Sequence, residues 1–308
     1  MRGEKVLLVL GILMMIFPFR NAYAWGGYAH WEIANRFSNN MSSEEKLYYT
    51  SGSTLADIGR LSWDNKYISS DSLEFSNKMN EIVLQENWTS AKHKEFAQGW
   101  MGHYIQDSKG SLSNIQGGPK SYRVKCGWVD EYLRDDKKIQ SPINGKSEIV
   151  VDYELIRETY NQLHGFKPNN DEINKQIKTI FLAYDLQIIA NFNKWSNEEK
   201  KSIEKELNRT VDLCKESIRE GMYNSLQYDL LNRDRNKRLE DIRILNYTIN
   251  NALEELENDN TIEYLSYIKD NNHYFELKVK NRVKYDEKLK NTLEVLNSKD
   301  INIQSILE

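Results

Sequence analysis

From Trp25 onward the apolar residues recur at three- and four-residue intervals, and the strict alternation that marks a half-buried strand is missing. Phe96, Trp100, His103, Tyr104 and Asp107 share one face of a helix expected over Lys92–Asp107. His30–Asn39, 128–134 and 151–164 read as further helices, and Ser42-Ser43-Glu44-Glu45 resembles a helix start. Ser108–Tyr122 is rich in Ser and Gly, contains Pro119, and reads as a loop. After Pro168 there is no further proline, and helical runs over 173–191, 198–220 and 239–257 are dense in Lys, Glu, Asn, Ile, Leu and Tyr. The pattern predicts an all-α protein. Residues 25–168 form one domain, and 169–308 a charged helical extension packed on it or standing as a separate bundle.

The N-terminal join Ala22-Tyr23-Ala24-Trp25-Gly26-Gly27-Tyr28-Ala29-His30 adds a chemical constraint. Arg2 and Lys5 precede the uncharged run Val6–Phe19, which falls short of the roughly 20 residues of a membrane span. An A-x-A triplet then closes it, so residues 1–24 read as a signal peptide cut between Ala24 and Trp25. That cut places the protein outside the cytoplasm and makes Trp25 the N-terminus. A free α-amino group titrates near pH ~8, so it can give up its proton to a metal and, with its own carbonyl oxygen, form a chelate ring. His30, five residues on, can complete one side of such a site. No later segment is apolar enough to cross a bilayer.

The full chain has 42 basic and 46 acidic residues, and the cut would remove Arg2, Lys5 and Arg20 against Glu4 alone. The mature chain is therefore more acidic still, which argues against a generally basic nucleic-acid surface. The two cysteines, Cys126 and Cys214, rule out a disulfide framework and leave room for one bridge. On the predicted central helix, His103 and Asp107 are four residues apart and can grip one cation. Gly99 and Gly102 let another element come close to that helix.

Three segments occur in order: Trp25-Gly26-x-x-x-His30, then Leu55-Ala56-Asp57-Ile58-Gly59-Arg60, then Gly99-Trp100-x-x-His103-Tyr104-x-x-Asp107. Together they resemble the zinc-dependent phospholipase C family, which shares its helical fold with the S1/P1 nucleases. The resemblance covers about residues 25–160. It implies zinc ions in a cleft between helices, with Trp25, His30, Asp57, His103 and Asp107 as ligands and Asp107 bridging two ions. It also implies hydrolysis of a phosphodiester by metal-bound hydroxide, with Asp57 as general base. The implied substrate is phospholipid or another phosphodiester, and a membrane surface is an expected partner.

The departures from that pattern are specific. No histidine lies between residues 58 and 92, and Ser113 stands where the family carries a histidine after the helix aspartate. The later pair has its best counterpart in Cys126 and Asp130, where a thiolate can stand in for imidazole as a zinc ligand, the alternatives being a Cys126–Cys214 bridge or a free buried thiol. Of the five histidines, His93, His164 and His273 read as peripheral. Two zinc positions are therefore well supplied, Trp25/His30/Asp107 and Asp57/His103/Asp107, and the third, at Cys126 and Asp130, is depleted. Two alternatives to a phospholipase follow: a secreted S1/P1-like nuclease, and a non-catalytic surface protein that keeps the scaffold with a reduced metal site.

Overall fold

A computed structural model describes residues 25–62, 65–189, 194–219 and 231–306. The expected signal peptide, residues 1–24, lies outside them. Among the described residues, ten helices of ten or more residues carry the fold: α1 (Gly27–Phe37), α2 (Ser43–Leu55), α3 (Leu73–Ile82), α4 (Ala91–Lys109), α5 (Tyr122–Glu131), α6 (Tyr153–His164), α7 (Asn170–Ile189), α8 (Asn197–Arg219), α9 (Leu231–Asn258) and α10 (Arg282–Ser298). The class is all-α, as the periodicity predicts. Among the described residues no helix is long and apolar enough to cross a membrane.

Local chemistry explains where the site-bearing helices begin. Ser42 caps α2 in a full capping box: its hydroxyl accepts from the Glu45 amide, and the Glu45 carboxylate accepts from the Ser42 amide at 2.9 Å. Ser90 caps α4 through the His93 amide, and Asp152 caps α6 through the Leu155 amide at 3.1 Å. α1 has no such cap of its own, because Gly26 precedes it.

Helices α2 and α4 pack closely against each other. A Cβ on Gly52 would lie 2.1 Å from the Phe96 carbonyl oxygen, and one on Gly99 would lie 2.0 Å from the Tyr49 carbonyl oxygen. The two helices thus meet backbone to backbone, each supplying a glycine where the other's carbonyl comes close. This contact brings the last turn of α2, and the turn after it, against the second half of α4.

One small sheet departs from the expectation that strands are missing. β2 (Ile262–Lys269) and β3 (Asn272–Val279) form a hairpin, and β1 (Ile149–Val150) pairs with the other edge of β3, all antiparallel. The hairpin turns on Asp270 and Asn271, both with positive φ (51° and 62°), the geometry of a two-residue type I′ loop. Most of β2 is half-exposed on both faces, so Ile-Glu-Tyr-Leu-Ser-Tyr-Ile-Lys carries little of the buried/exposed alternation that advertises a strand.

β1 lies in the first half of the chain and β2–β3 in the second, so the sheet joins the two. The buried core does the same, running without a break from Trp25 to Ile306 and including Ile177, Phe181 and Tyr184 of α7. α7 packs against α5, α9 and α10. The charged faces of the second half point to solvent, while its apolar stripe completes the core around the first half.

Replacing Gly99 with alanine puts a methyl where the Tyr49 carbonyl stands. The expected loss is about 1–3 kcal/mol of unfolding free energy in urea melts, the usual cost of overpacking a close contact. An unchanged midpoint would show that the helices are not in contact there.

Candidate metal centre

Four side chains and one main-chain nitrogen converge at the crossing of α1, α2 and α4. His30 comes from the first turn of α1, Asp57 from the turn that follows α2, and His103 and Asp107 from one face of α4. His30, Asp57 and His103 form a group whose ligand atoms lie within 4.8 Å of one another, spacing that could hold a metal ion. Asp107 spans both histidines: Oδ1 is 3.1 Å from His30 Nε2, and Oδ2 is 3.6 Å from His103 Nε2. Asp57 Oδ1 is 3.2 Å from His103 Nε2. The Trp25 nitrogen donates to Asp107 Oδ1 at 2.8 Å. The two imidazoles stack, with ring centres 3.7 Å apart. None of the four side chains is more than 5% exposed.

Each imidazole is oriented by its other nitrogen. His103 Nδ1 lies 3.0 Å from the Ser53 carbonyl oxygen, which can only accept, so Nδ1 carries the proton. His30 Nδ1 lies 2.7 Å from Gln106 Oε1, and the Gln106 amide nitrogen donates to Ser53 Oγ at 3.2 Å. The glutamine oxygen therefore faces His30, and Nδ1 is again the donor. Both Nε2 atoms are left aimed at carboxylates, buried and without a hydrogen-bond partner. Two lone pairs facing anions in a dry volume repel unless a cation lies between them. That is the arrangement in which imidazole ligands of a metal are held by hydrogen bonds from behind, and these residues fit a divalent cation.

Without a metal, protons take over the balancing. Burial alone would lower the His30 pKa, but the Asp107 carboxylate outweighs it and raises the value to about 9. Burial would raise Asp57, yet His103 and Arg60 hold it well below the usual carboxylate range. Asp107 is likewise lowered against its burial, chiefly by His30. Arg60 Nη1 lies 3.4 Å from both oxygens of Asp57.

The other expected ligands have different surroundings. Asp130, near the end of α5, accepts from the Tyr28 amide at 3.2 Å and the Ala29 amide at 2.9 Å, supplying from a distance the cap that α1 lacks. Gly26 makes room for it, since a Cβ there would sit 2.1 Å from Asp130 Oδ2. Burial pushes the Asp130 carboxyl up to about 7, against the two amides that lower it. Cys126 is buried in the main core, and Cys214 lies in a small separate cluster with Met101 and Ile105. No disulfide joins them. Neither Cys126 nor Asp130 belongs to the group with metal-binding spacing found among the described residues.

The peripheral histidines lie elsewhere. His93 pairs with Asp152 at 2.5 Å, and His273 packs edge-on against Tyr153. Ser113 shares a hydrogen bond with a neighbouring hydroxyl, that of Ser111 at 2.6 Å. Three residues at the site escaped the sequence reading: Gln106, Arg60 and Tyr184, whose hydroxyl donates to Asp57 Oδ2. Gln106 and Arg60 stood inside the quoted segments without a role. Tyr184 is 127 residues from its partner, and no local pattern points to it.

Comparison with known proteins adds a distant relative. A stretch of 201 residues is 28% identical to an uncharacterized protein of Archaeoglobus fulgidus, covering 58% of this chain and 56% of that protein. The match thus spans about half of the relative's length. No family model matches the chain, and no solved structure matches it.

Metal binding should depend on pH in a defined direction. A ligand imidazole must be neutral, and His30 of the metal-free protein keeps its proton up to about pH 9. Apparent affinity should therefore rise with pH, by about tenfold per unit, and level off near pH 9. Calorimetry in buffers of different ionisation heat should count a proton released at pH 7; uptake with no proton release would contradict the assignment of His30. In the metal-free protein the raised pKa of His30 contributes stability that is fully present below about pH 6.5 and is lost as pH rises through about 9. The lowered pKa of Asp107 contributes stability that is lost as pH falls below the ordinary carboxylate range.

Proposed function

We propose that this chain is an exported, zinc-dependent phosphodiester hydrolase of the phospholipase C type. One observation carries the reading: the main-chain nitrogen of Trp25 meets His30, Asp57, His103 and Asp107 in a single buried cluster. These are five of the seven residues that the resemblance offers as ligands, Cys126 and Asp130 being the other two, and they come from three segments spread over 82 positions. Cleavage after Ala24 would turn the Trp25 nitrogen into an amine already beside Asp107. Imidazole and carboxylate donors suit zinc among the available divalent ions.

A divalent cation bound here would supply Lewis acidity and lower the pKa of a water toward neutrality. The protein's own residues divide the remaining work. Ser53 and Gln106 fix the imidazole tautomers, and Asp107 links the two histidines. Asp57 presents Oδ1 toward His103, while Oδ2 accepts from Tyr184. General-base catalysis by Asp57 therefore requires Tyr184 to yield that oxygen. Phospholipid is the preferred substrate, on the wording of the third segment.

A second reading, a non-catalytic protein with a structural metal, is favoured by the burial of the site. Structural metal sites are closed, and catalytic ones keep an open position. Of two cavities among the described residues, of about 470 and 290 Å³, neither is lined by any of the five.

His103→Ala separates these readings. For a hydrolase, the exported wild-type protein cleaves phosphatidylcholine, and the variant loses both turnover and bound zinc. Release of nucleotides from single-stranded DNA without attack on lipid would move the assignment to the nuclease branch. Metal retained with no turnover on either substrate would leave the structural reading.

A further inference from the structure

We infer that Tyr184 is a positioning residue of the metal centre, holding Asp57 so that it offers one carboxylate oxygen, and not both, to a bound cation. The inference rests on the metal-binding reading of the site above.

Tyr184 belongs to α7, in the half of the chain that carries none of the recognised segments, and it is almost wholly buried. Its hydroxyl donates to Asp57 Oδ2, while Asp57 Oδ1 faces His103 Nε2 at 3.2 Å. Arg60 lies 3.4 Å from both oxygens and so does not distinguish them. The phenol does: it occupies one oxygen and leaves the other for the cation. A carboxylate held in this way binds monodentately, which keeps the coordination number low.

The position of the ring is an independent sign that this placement is built in. A Cβ on Gly27 would lie 2.4 Å from two ring carbons of Tyr184. The first residue of α1, three positions before His30, thus has no side chain where the ring passes. The helix itself does not depend on this bond for its placement. The next residue, Asp185, accepts from Tyr28 at 2.9 Å and from Tyr285 at 2.7 Å, a separate anchor for α7. Removing the Tyr184 hydroxyl should therefore leave the fold in place.

The test loads the wild-type protein, Tyr184→Phe and Tyr285→Phe with Co²⁺ and records the visible d–d absorption, with affinity measured by chelator competition. In Tyr184→Phe the freed oxygen joins the ion, so the absorption should weaken as coordination number rises. Co²⁺ affinity should fall by about 10-fold or more, as for loss of a partner behind a ligand. Tyr285→Phe removes a buried hydrogen bond to the same helix away from the ligands, and its spectrum should match the wild type. Infrared difference spectra of the wild-type protein, Co²⁺-loaded minus metal-free, give a second measurement that needs no variant. A wide carboxylate splitting is expected of monodentate binding, and a narrow one would overturn the inference. So would a Tyr184→Phe spectrum and affinity identical to wild type. If the wild-type protein takes up no Co²⁺ at all, the metal reading itself fails, a different result from a silent Tyr184→Phe.

Discussion

Two carboxylates and two imidazoles share a volume closed to water, and the surrounding structure is arranged around balancing their charge. Ions removed from water cost several kcal/mol each unless partners replace the lost hydration. Here the partners are Arg60 beside Asp57, the Trp25 nitrogen on Asp107, and the hydrogen bonds that fix the outer nitrogen of each histidine. What these leave unanswered is the pair of Nε2 atoms. A proton on His30 answers part of it, and a divalent cation answers all of it. The cluster is therefore a site whose stability and occupancy are linked, through protons and metal competing for His30 Nε2.

That chemistry depends on backbone packing. The glycines at 52 and 99 let α2 and α4 approach until the Ser53 carbonyl reaches the His103 ring. Asp130 caps α1 from outside the helix and so holds the turn that carries His30. The tight crossing, the borrowed cap and the ring of Tyr184 against Gly27 all act on ligand geometry, and none of them is itself a ligand.

Much of the site was legible in the sequence, because its ligands sit in short segments with their own periodicity. The helix-borne His103 and Asp107 could be read from spacing, and Asp57 came only with the resemblance of its segment. Trp25 and His30 could be read from the A-x-A join. Helix starts were visible where a side chain caps locally, as at Ser42, and invisible where the cap is supplied by Asp130 from 101 residues away. The hairpin was hidden because its turn uses Asp270-Asn271 and its first strand is half-exposed on both faces. The contribution of Tyr184 was out of reach, since only tertiary packing brings α7 to the turn after α2. The same packing gives Asp130 an occupation other than the one its spacing from Cys126 suggested.

The most direct test of the His/Asp centre is X-ray absorption at the zinc edge on the exported, zinc-loaded protein. A first shell of nitrogen and oxygen near ~2.0–2.1 Å, with the outer scattering of imidazole rings, is the expected result. Sulfur scattering near ~2.3 Å would place Cys126 on the metal and contradict the site described, as would a protein that retains no zinc.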